Sequence, residues 1–398
     1  MNDERWLLPT GIEEVLPDRA AELERLRRRL LDLYQSWGYE LVIPPFIDYL
    51  ESLLTGTGTD LDLQTFKLTD QLSGRLLGVR ADMTPQVARI DAHHLRRDTA
   101  TRLCYLGTVL HTRTDGFAGT RSPLQIGAEI YGHDGPASDV EVLRLLVRTL
   151  ETAGIESPYL DLGHVGVYRG LIQQAGLSRA DELRLFDALQ RKASAEIEAI
   201  ITETEVAAPV GSMLLALVEL NGEDALSRAS SMLRAADPPV LAALDRLRRV
   251  ADELRHWLPE LPVHFDLAEL RGYTYKTGVV FAAFVPGWGL EIARGGRYDD
   301  IGRVFGRARP AVGFSADLKG LIALSAQAAS PAETEVGSVM APWDADPELQ
   351  RIVERLRAEG REVRYELPDQ CGTPRDYNCC DRLAKVDGVW QLVPDDAA

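Results

Sequence analysis

Cysteine is nearly absent from this chain: four residues in 398, at Cys104, Cys371, Cys379 and Cys380. So low a count excludes a disulfide-stapled scaffold. The spacing of the last three matches no standard zinc pattern. The thiols therefore read as reduced and structural, and neither a metal nor a cofactor is expected. Long apolar runs are missing too. Nothing approaches the roughly 18 residues that mark a membrane span, and Met1–Arg5 leads into no apolar signal core, so a cytoplasmic location is expected. Positive charge is also scarce: 44 Lys and Arg stand against 61 Asp and Glu, a net charge of −17. Proteins that grip nucleic acid draw much of their affinity from basic side chains and counterion release. This balance argues against nucleic acid as the main partner. Histidines are scattered except for His93-His94, which read as surface or packing residues near a helix end.

Ordinary globular material fills the rest, 45% hydrophobic and 26% charged, enough for two or three domains. Leu23, Leu26, Leu30, Leu33 and Tyr34 recur at helical spacing and predict a helix over 19–36. Gly38 stops it. A strand over Glu40–Ile43 follows, ended by Pro44-Pro45 because proline cannot donate to a ladder. Segments 64–69 and 75–80 read as a hairpin around Asp70–Gly74. A helix follows Thr84-Pro85, and 102–110 and 124–131 read as paired strands. Ser138 with Glu141 has the form of a capping box opening a helix over Asp139–Ala153.

From 167 to about 258 apolar residues recur every three or four positions, which predicts a helical insertion; its last helix starts at Pro238-Pro239 and runs through Trp257. Strand-like runs return at His264–Leu267, Gly278–Phe284 and Leu290–Ala293, then a helix around Asp317–Ala326. Ser330-Pro331 reads as a linker. Beyond it Val336–Met340, Glu348–Ala358, Glu362–Glu366 and Gly388–Leu392 suggest a small strand–helix–strand–strand module. The expected class is α+β: an antiparallel sheet flanked by helices over 1–329, with the helical insertion, and a small C-terminal α/β module over 330–398.

An amino-acid ligand presents an ammonium, a carboxylate and a side chain, so its pocket needs acceptors, a cation and shaped polar groups. Candidates are Asp82, Thr84, Gln125, Glu129, Arg271 and Tyr275. Gln125 and Glu129 are four apart and share one face of a strand. From pattern alone, all of these can equally be ordinary sheet polar residues. Arg297, Tyr298 and Asp299 can simply brace the Gly295-Gly296 turn, and Tyr273 and Trp288 fit core or interface packing.

Six segments together resemble the catalytic core of class II aminoacyl-tRNA synthetases, specifically the histidyl-tRNA synthetase family, over residues 10–325. Tyr39–Pro45 is similar to the strand and proline of the first motif. Val79–Thr84 resembles a Leu-Arg-Pro-Glu-Gly-Thr segment, and Gln125–Glu129 matches the Gln-x-Gly-x-Glu strand that ends the second motif. Arg271–Phe281 resembles the Arg-Gly-Leu-Asp-Tyr-Tyr box, although its second tyrosine is Lys276 here. Gly295–Asp299 matches Gly-Gly-Arg-Tyr-Asp, and Pro310–Phe314 the approach to the third motif. The resemblance implies a class II synthetase-like fold and a histidine pocket drawn from Asp82, Thr84, His111, Gln125, Glu129, Arg271 and Tyr275.

Two motif positions depart. Where the family has Phe-Arg-x-Glu, with the arginine on the amino-acid carboxylate and the ATP α-phosphate, the chain reads Leu110-His111-Thr112-Arg113. Where it has Gly-Leu-Glu-Arg, with the arginine on the γ-phosphate, the chain reads Asp317-Leu318-Lys319-Gly320. Adenylate formation relies on fixed positive charge at the phosphates, so no catalytic residue of a synthetase is assigned. Lys319 is the one neighbouring cation that could partly substitute. Arg80–Gln86, Leu270–Tyr273 and the short C-terminal module are similar to the synthetase-like regulatory subunits of ATP phosphoribosyltransferase. That resemblance implies a short-form catalytic subunit as partner, histidine as effector, and a place in the first step of histidine biosynthesis. It also implies a homodimer within a hetero-oligomer, for which the leucine stripe over 23–33 is a candidate face, although that stripe also suits internal packing. A divergent active synthetase, or an amino-acid- or tRNA-binding paralog with another partner, are the alternatives.

Overall fold

Pro17 occupies the first turn of the opening helix, Pro17–Ser36, which ends where Gly38 turns into the left-handed region at φ +81°. Its Leu23, Leu26, Leu30 and Tyr34 are buried against helix Pro136–Thr152 and helix Leu318–Ala328 of the same chain. The leucine stripe therefore belongs to the chain's own core and offers no face to a second copy. The computed structural model describes residues 6–54, 59–114, 120–270, 272–273, 275–328, 338–368, 373–377 and 379–394. Arg271, Cys371 and the Ser330-Pro331 linker lie outside the described residues. The chain divides into two units, residues 1–328 and 329–398.

A nine-stranded sheet organises the first unit. From edge to edge it runs Glu40–Leu41, Thr101–Thr108, Leu124–Tyr131, Ala311–Asp317, Ala293–Arg297, Val279–Phe284, Tyr159–His164, Val263–Asp266 and Asn221–Gly222. The six strands from Thr101–Thr108 to Tyr159–His164 are antiparallel throughout. Glu40–Leu41 and Val263–Asp266 join them in parallel. A separate three-stranded sheet sets Leu76–Val79 between Ile47–Tyr49 and Phe66–Thr69. The Asp70 carboxylate closes its turn by accepting from the amides of Leu72 (3.1 Å) and Ser73 (3.2 Å). Residues 165–257 form six helices, Val165–Ala175, Arg179–Gln190, Ser194–Glu203, Ala208–Ala216, Ala225–Met232 and Pro238–Trp257. The two-residue strand Asn221–Gly222 interrupts them.

Strand alternation divides the large sheet into two faces. Ile126, Ala128 and Ile130 point into the main core with the flanking helices, whereas Leu103, Tyr105 and Tyr131 join a smaller cluster with Met83, Val87 and Tyr298 on the other face. Gln125 and Glu129 share that second face. No helix among the described residues is long and apolar enough to cross a membrane.

Three expectations are corrected. Helix Pro136–Thr152 begins two residues before Ser138, because Pro136 pre-sets the first turn. Ser138 is therefore not a cap: its hydroxyl accepts from Arg297 Nη2 (2.8 Å) and donates to the Gly135 carbonyl. Glu141 faces Arg102 in a bidentate pair at 2.6 and 2.7 Å. The strand expected over Leu290–Ala293 instead runs Ala293–Arg297; Gly295 has no side chain to keep it from the Gly313 carbonyl of the neighbouring strand. The C-terminal unit holds four strands rather than three, in the order Val363–Glu366, Val339–Pro342, Asp381–Val386 and Val389–Pro394, with helix Pro347–Ala358. The added strand carries Asp381, Arg382 and Lys385 and buries only Leu383, so it shows little apolar alternation. Its turn, Asp387-Gly388, has both residues at positive φ, the hairpin signature of such a pair.

Candidate functional site

On the polar face of the large sheet lies a cavity of about 500 Å3, lined by Asp82, Thr84, Gln125, Glu129, His111 and Tyr275 among others. All six described candidates from the sequence thus meet in one place. They come from several elements, with Gln125 and Glu129 on the one strand Leu124–Tyr131. Asp82 and Thr84 sit where strand Leu76–Val79 passes into helix Thr84–Arg89, which Pro85 opens. Gln125 bridges that junction to the sheet: its Oε1 accepts the Met83 amide (3.0 Å) and its Nε2 donates to Asp82 Oδ1 (2.8 Å). The same Asp82 oxygen accepts the Thr84 amide at 3.0 Å.

Glu129 is 1% exposed. Tyr105 donates to its Oε1 at 2.9 Å, Thr84 Oγ1 does so at 3.3 Å, and Tyr298 donates to its Oε2. Room for this carboxyl comes from the facing strand: a Cβ at position 313 would collide with Glu129 Oε2, so only glycine fits there. Burial pushes the Glu129 carboxyl up to about 8, against the pull of the three hydroxyls. A carboxyl raised in the folded state adds stability that is complete below its ordinary 4.5 and lost as pH rises through about 8. The melting temperature of the empty chain should therefore fall more steeply between pH 5 and about 8 than that of Glu129→Gln, which keeps a neutral group throughout. Parallel pH profiles from thermal scans would overturn this assignment.

At the other end, His111 is buried, with Nε2 against the Ala81 carbonyl at 2.8 Å. Arg113 is exposed and does not line the cavity. Asp317 does line it, nearly fully buried, its carboxylate accepting the amides of Leu124 (2.9 Å), Lys319 (3.2 Å) and Gly320 (3.3 Å). Burial pushes this acid up to about 6. The Lys319 ammonium is directed to Glu13 and Ser122, at 3.2 and 3.3 Å, and is not part of the lining. Among the described residues, Lys276 and Arg294 are the fixed cations of the cavity wall, against the carboxylates of Asp82, Glu129, Glu269, Glu291 and Asp317.

Functional groups outside the candidate set include Tyr298 and Lys276, which line the cavity, and Tyr105, which reaches Glu129 from behind it. Lys276 is buried, its Nζ donating to the Gly295 carbonyl. Arg297 and Asp299 do brace the sheet: Arg297 pairs with the fully buried Asp139 at 2.8 Å and with Asp299 at 3.1 Å. Asp299 accepts the Ala311 amide and the Thr277 hydroxyl. Tyr273 is a packing residue, in ring contact with Tyr168 and Phe186.

The family model described as histidyl-tRNA synthetase matches residues 11–321, and the one described as the ATP phosphoribosyltransferase subunit HisZ C-terminal domain matches 336–393. An ATP phosphoribosyltransferase regulatory subunit from Alkalilimnicola ehrlichii is 57% identical over 388 residues, spanning 97% of this chain and 96% of the relative. The chain belongs to this regulatory subunit family. A second member, from Thioalkalivibrio sulfidiphilus, is 58% identical over 97% of both chains. Among solved structures, an ATP phosphoribosyltransferase regulatory subunit/histidyl-tRNA synthetase from Bacillus halodurans superposes with a TM-score of 0.81 at 24% identity, covering 93% of this chain and 95% of that one. A histidine–tRNA ligase subunit from Alicyclobacillus acidocaldarius gives 0.65 at 28% identity, covering 81% of this chain and 98% of that one. The family thus shares the histidyl-tRNA synthetase-like class II fold, α+β with a largely antiparallel sheet.

Proposed function

We propose that this chain is the non-catalytic, histidine-sensing subunit of ATP phosphoribosyltransferase. In this reading a separate short-form catalytic subunit makes phosphoribosyl-ATP from ATP and phosphoribosyl pyrophosphate in the cytoplasm, and this chain supports and restrains it. One observation carries the reading: the cavity keeps an acceptor set suited to an amino acid and sets the Asp317 carboxylate beside Gln125, where a triphosphate would need cations. Histidine fits the acceptor set. Asp82, held by Gln125 and the Thr84 amide, receives the ammonium, and Glu129 with its tyrosines receives the imidazole. Of the candidate set, Arg271 is the cation that an amino-acid carboxylate requires. A triphosphate does not fit beside the Asp317 carboxylate, with His111 and Gly320 standing where the resemblance implies arginines. The net charge of −17 speaks against tRNA.

A homodimer within the hetero-oligomer fits the sheet edge. Strand Glu40–Leu41 is an unpaired edge, and beside it Leu41, Ile43, Phe46 and Ile47 are exposed, Ile43 by 81%. Such an apolar row on an open edge invites pairing. The test is reconstitution. The short catalytic subunit should co-purify with this chain and form phosphoribosyl-ATP far faster with it than alone, and this chain alone should scatter light as a dimer at micromolar concentration. No co-purification and no stimulation would reject the regulatory reading, whereas a monomer would reject only the dimer.

A further inference from the structure

The turn that carries Tyr275 and Lys276 into the cavity is held from behind by the helical insertion. Gly272 opens it at φ +73°, a left-handed conformation that leaves Tyr275 N and Lys276 N to donate to the Gly272 carbonyl. The Arg169 guanidinium, from helix Val165–Ala175, donates through Nη2 to the Tyr273 carbonyl and to the Lys276 carbonyl, both at 3.0 Å. It thereby grips both ends of the turn at once. The same guanidinium lies over the Tyr273 ring, 5.0 Å from its centroid.

Helix Arg179–Gln190 adds three more holds. Glu182 Oε1 accepts from the Tyr273 hydroxyl at 2.7 Å, the Phe186 ring lies 5.6 Å from that of Tyr273, and Gln190 Nε2 donates to the Ala268 carbonyl at 3.0 Å. Phe186 and Gln190 also line the cavity themselves. One wall of the cavity is therefore built by the insertion, and the turn cannot shift without moving Arg169, Tyr273 and these two helices together.

We propose that Arg169 is a positioning residue for the amino-acid pocket: by clamping the Tyr273 and Lys276 carbonyls it sets the pocket's affinity for its effector and ties that affinity to the helical insertion. The proposal rests on the reading of the cavity as a histidine site. Arg169 touches no ligand. It acts through the turn, because a site holds its ligand tightly only when the surrounding shell fixes the groups that make contact. Both carbonyl bonds leave one nitrogen, Nη2, whose two N–H groups are fixed in the guanidinium plane, whereas a lysine ammonium is a point donor on a flexible stem.

The experiment is titration calorimetry of the purified full chain with L-histidine, at a temperature well below the melting transition of every variant. Arg169→Ala should weaken binding about tenfold or more, the scale of a lost charge-assisted contact, and Arg169→Lys should fall between it and wild type. Arg184→Ala, which removes an arginine paired with Asp181 and Glu203 on the exposed face of the neighbouring helix, should bind as wild type does. A role in folding alone would lower the melting temperature and leave the affinity of the folded protein unchanged. Wild-type affinity in folded Arg169→Ala overturns the proposal. If that variant does not fold, wild-type affinity in Arg169→Lys overturns it. If wild type itself takes up no histidine at millimolar concentration, the histidine reading of the pocket fails and this proposal falls with it. Binding by wild type with no loss in the variants sinks only the role of Arg169.

Discussion

Replacing Glu129 with alanine is expected to raise the histidine concentration that half-inhibits the reconstituted complex by about tenfold or more, the equivalent of losing one charge-assisted hydrogen bond at about 1.5–3 kcal/mol. Glu129 is the deepest acceptor of the cavity, and Tyr105, Tyr298 and Thr84 all direct their hydroxyls at it. Truncation removes the partner of the ligand's imidazole and leaves the buried hydroxyls of Tyr105 and Tyr298, with the half-buried one of Thr84, to find new acceptors. Gln125→Ala should act in the same direction for a different reason: Gln125 aims the Asp82 carboxylate and pins the Met83 amide, so its loss frees the ammonium acceptor to turn. An effector regulates only if it binds two states of the complex unequally, and weakening its contacts must therefore move the inhibition curve. The measurement is phosphoribosyl-ATP formation across a histidine titration, each complex normalised to its own uninhibited rate. Unchanged sensitivity in both variants, with assembly intact, would place feedback at another site.

Histidine-dependent exchange of pyrophosphate into ATP is expected to be undetectable for this chain, and His111→Arg alone should not restore it. Each missing cation at a developing charge costs roughly 10²–10³ in rate, and two positions are affected. The restored arginine would still face the Asp317 carboxylate, and Gly320 would still leave the γ-phosphate without its counter-charge. Lys319 offers no substitute, since its ammonium is engaged by Glu13 and Ser122. Robust exchange by the natural chain would sink the non-catalytic reading outright.

Much of the site was legible because strands and motif segments have short-range signatures. The spacing of Gln125 and Glu129 placed both on one sheet face, where they stand, and the run Asp82–Thr84 led directly to the junction that Gln125 spans. Tyr105 and Tyr298 were harder to read. Nothing local to strand Thr101–Thr108 says that its tyrosine hydroxyl reaches a carboxyl two strands' worth of sequence away, and Tyr298 lies beside Arg297 and Asp299, which are structural. Lys276 was visible as a departure, but its burial against the Gly295 carbonyl depends on the turn held by Arg169. The failed capping box shows the same limit. Ser138 and Glu141 have the right spacing, yet Pro136 starts the helix earlier, and two arginines distant in sequence, Arg297 and Arg102, claim the side chains. The strand Asp381–Val386 escaped notice because one buried leucine among charges carries no alternation, although Asp387-Gly388 marked its turn.

Asp317 ties the charge of the cavity to the start of a helix. It stands where the resemblance implies a glycine, and its carboxylate now secures the amides of Leu124, Lys319 and Gly320, joining a strand to the first turn of helix Leu318–Ala328. Replacing it with glycine removes those bonds, at only a few tenths of a kcal/mol for the helix cap, because glycine is itself a serviceable capping residue. The reversion brings no benefit until residues 111 and 320 have changed as well. In the non-catalytic reading, a return to adenylate chemistry is therefore limited by the charges at residues 111, 317 and 320 taken together, and not by the stability of the fold.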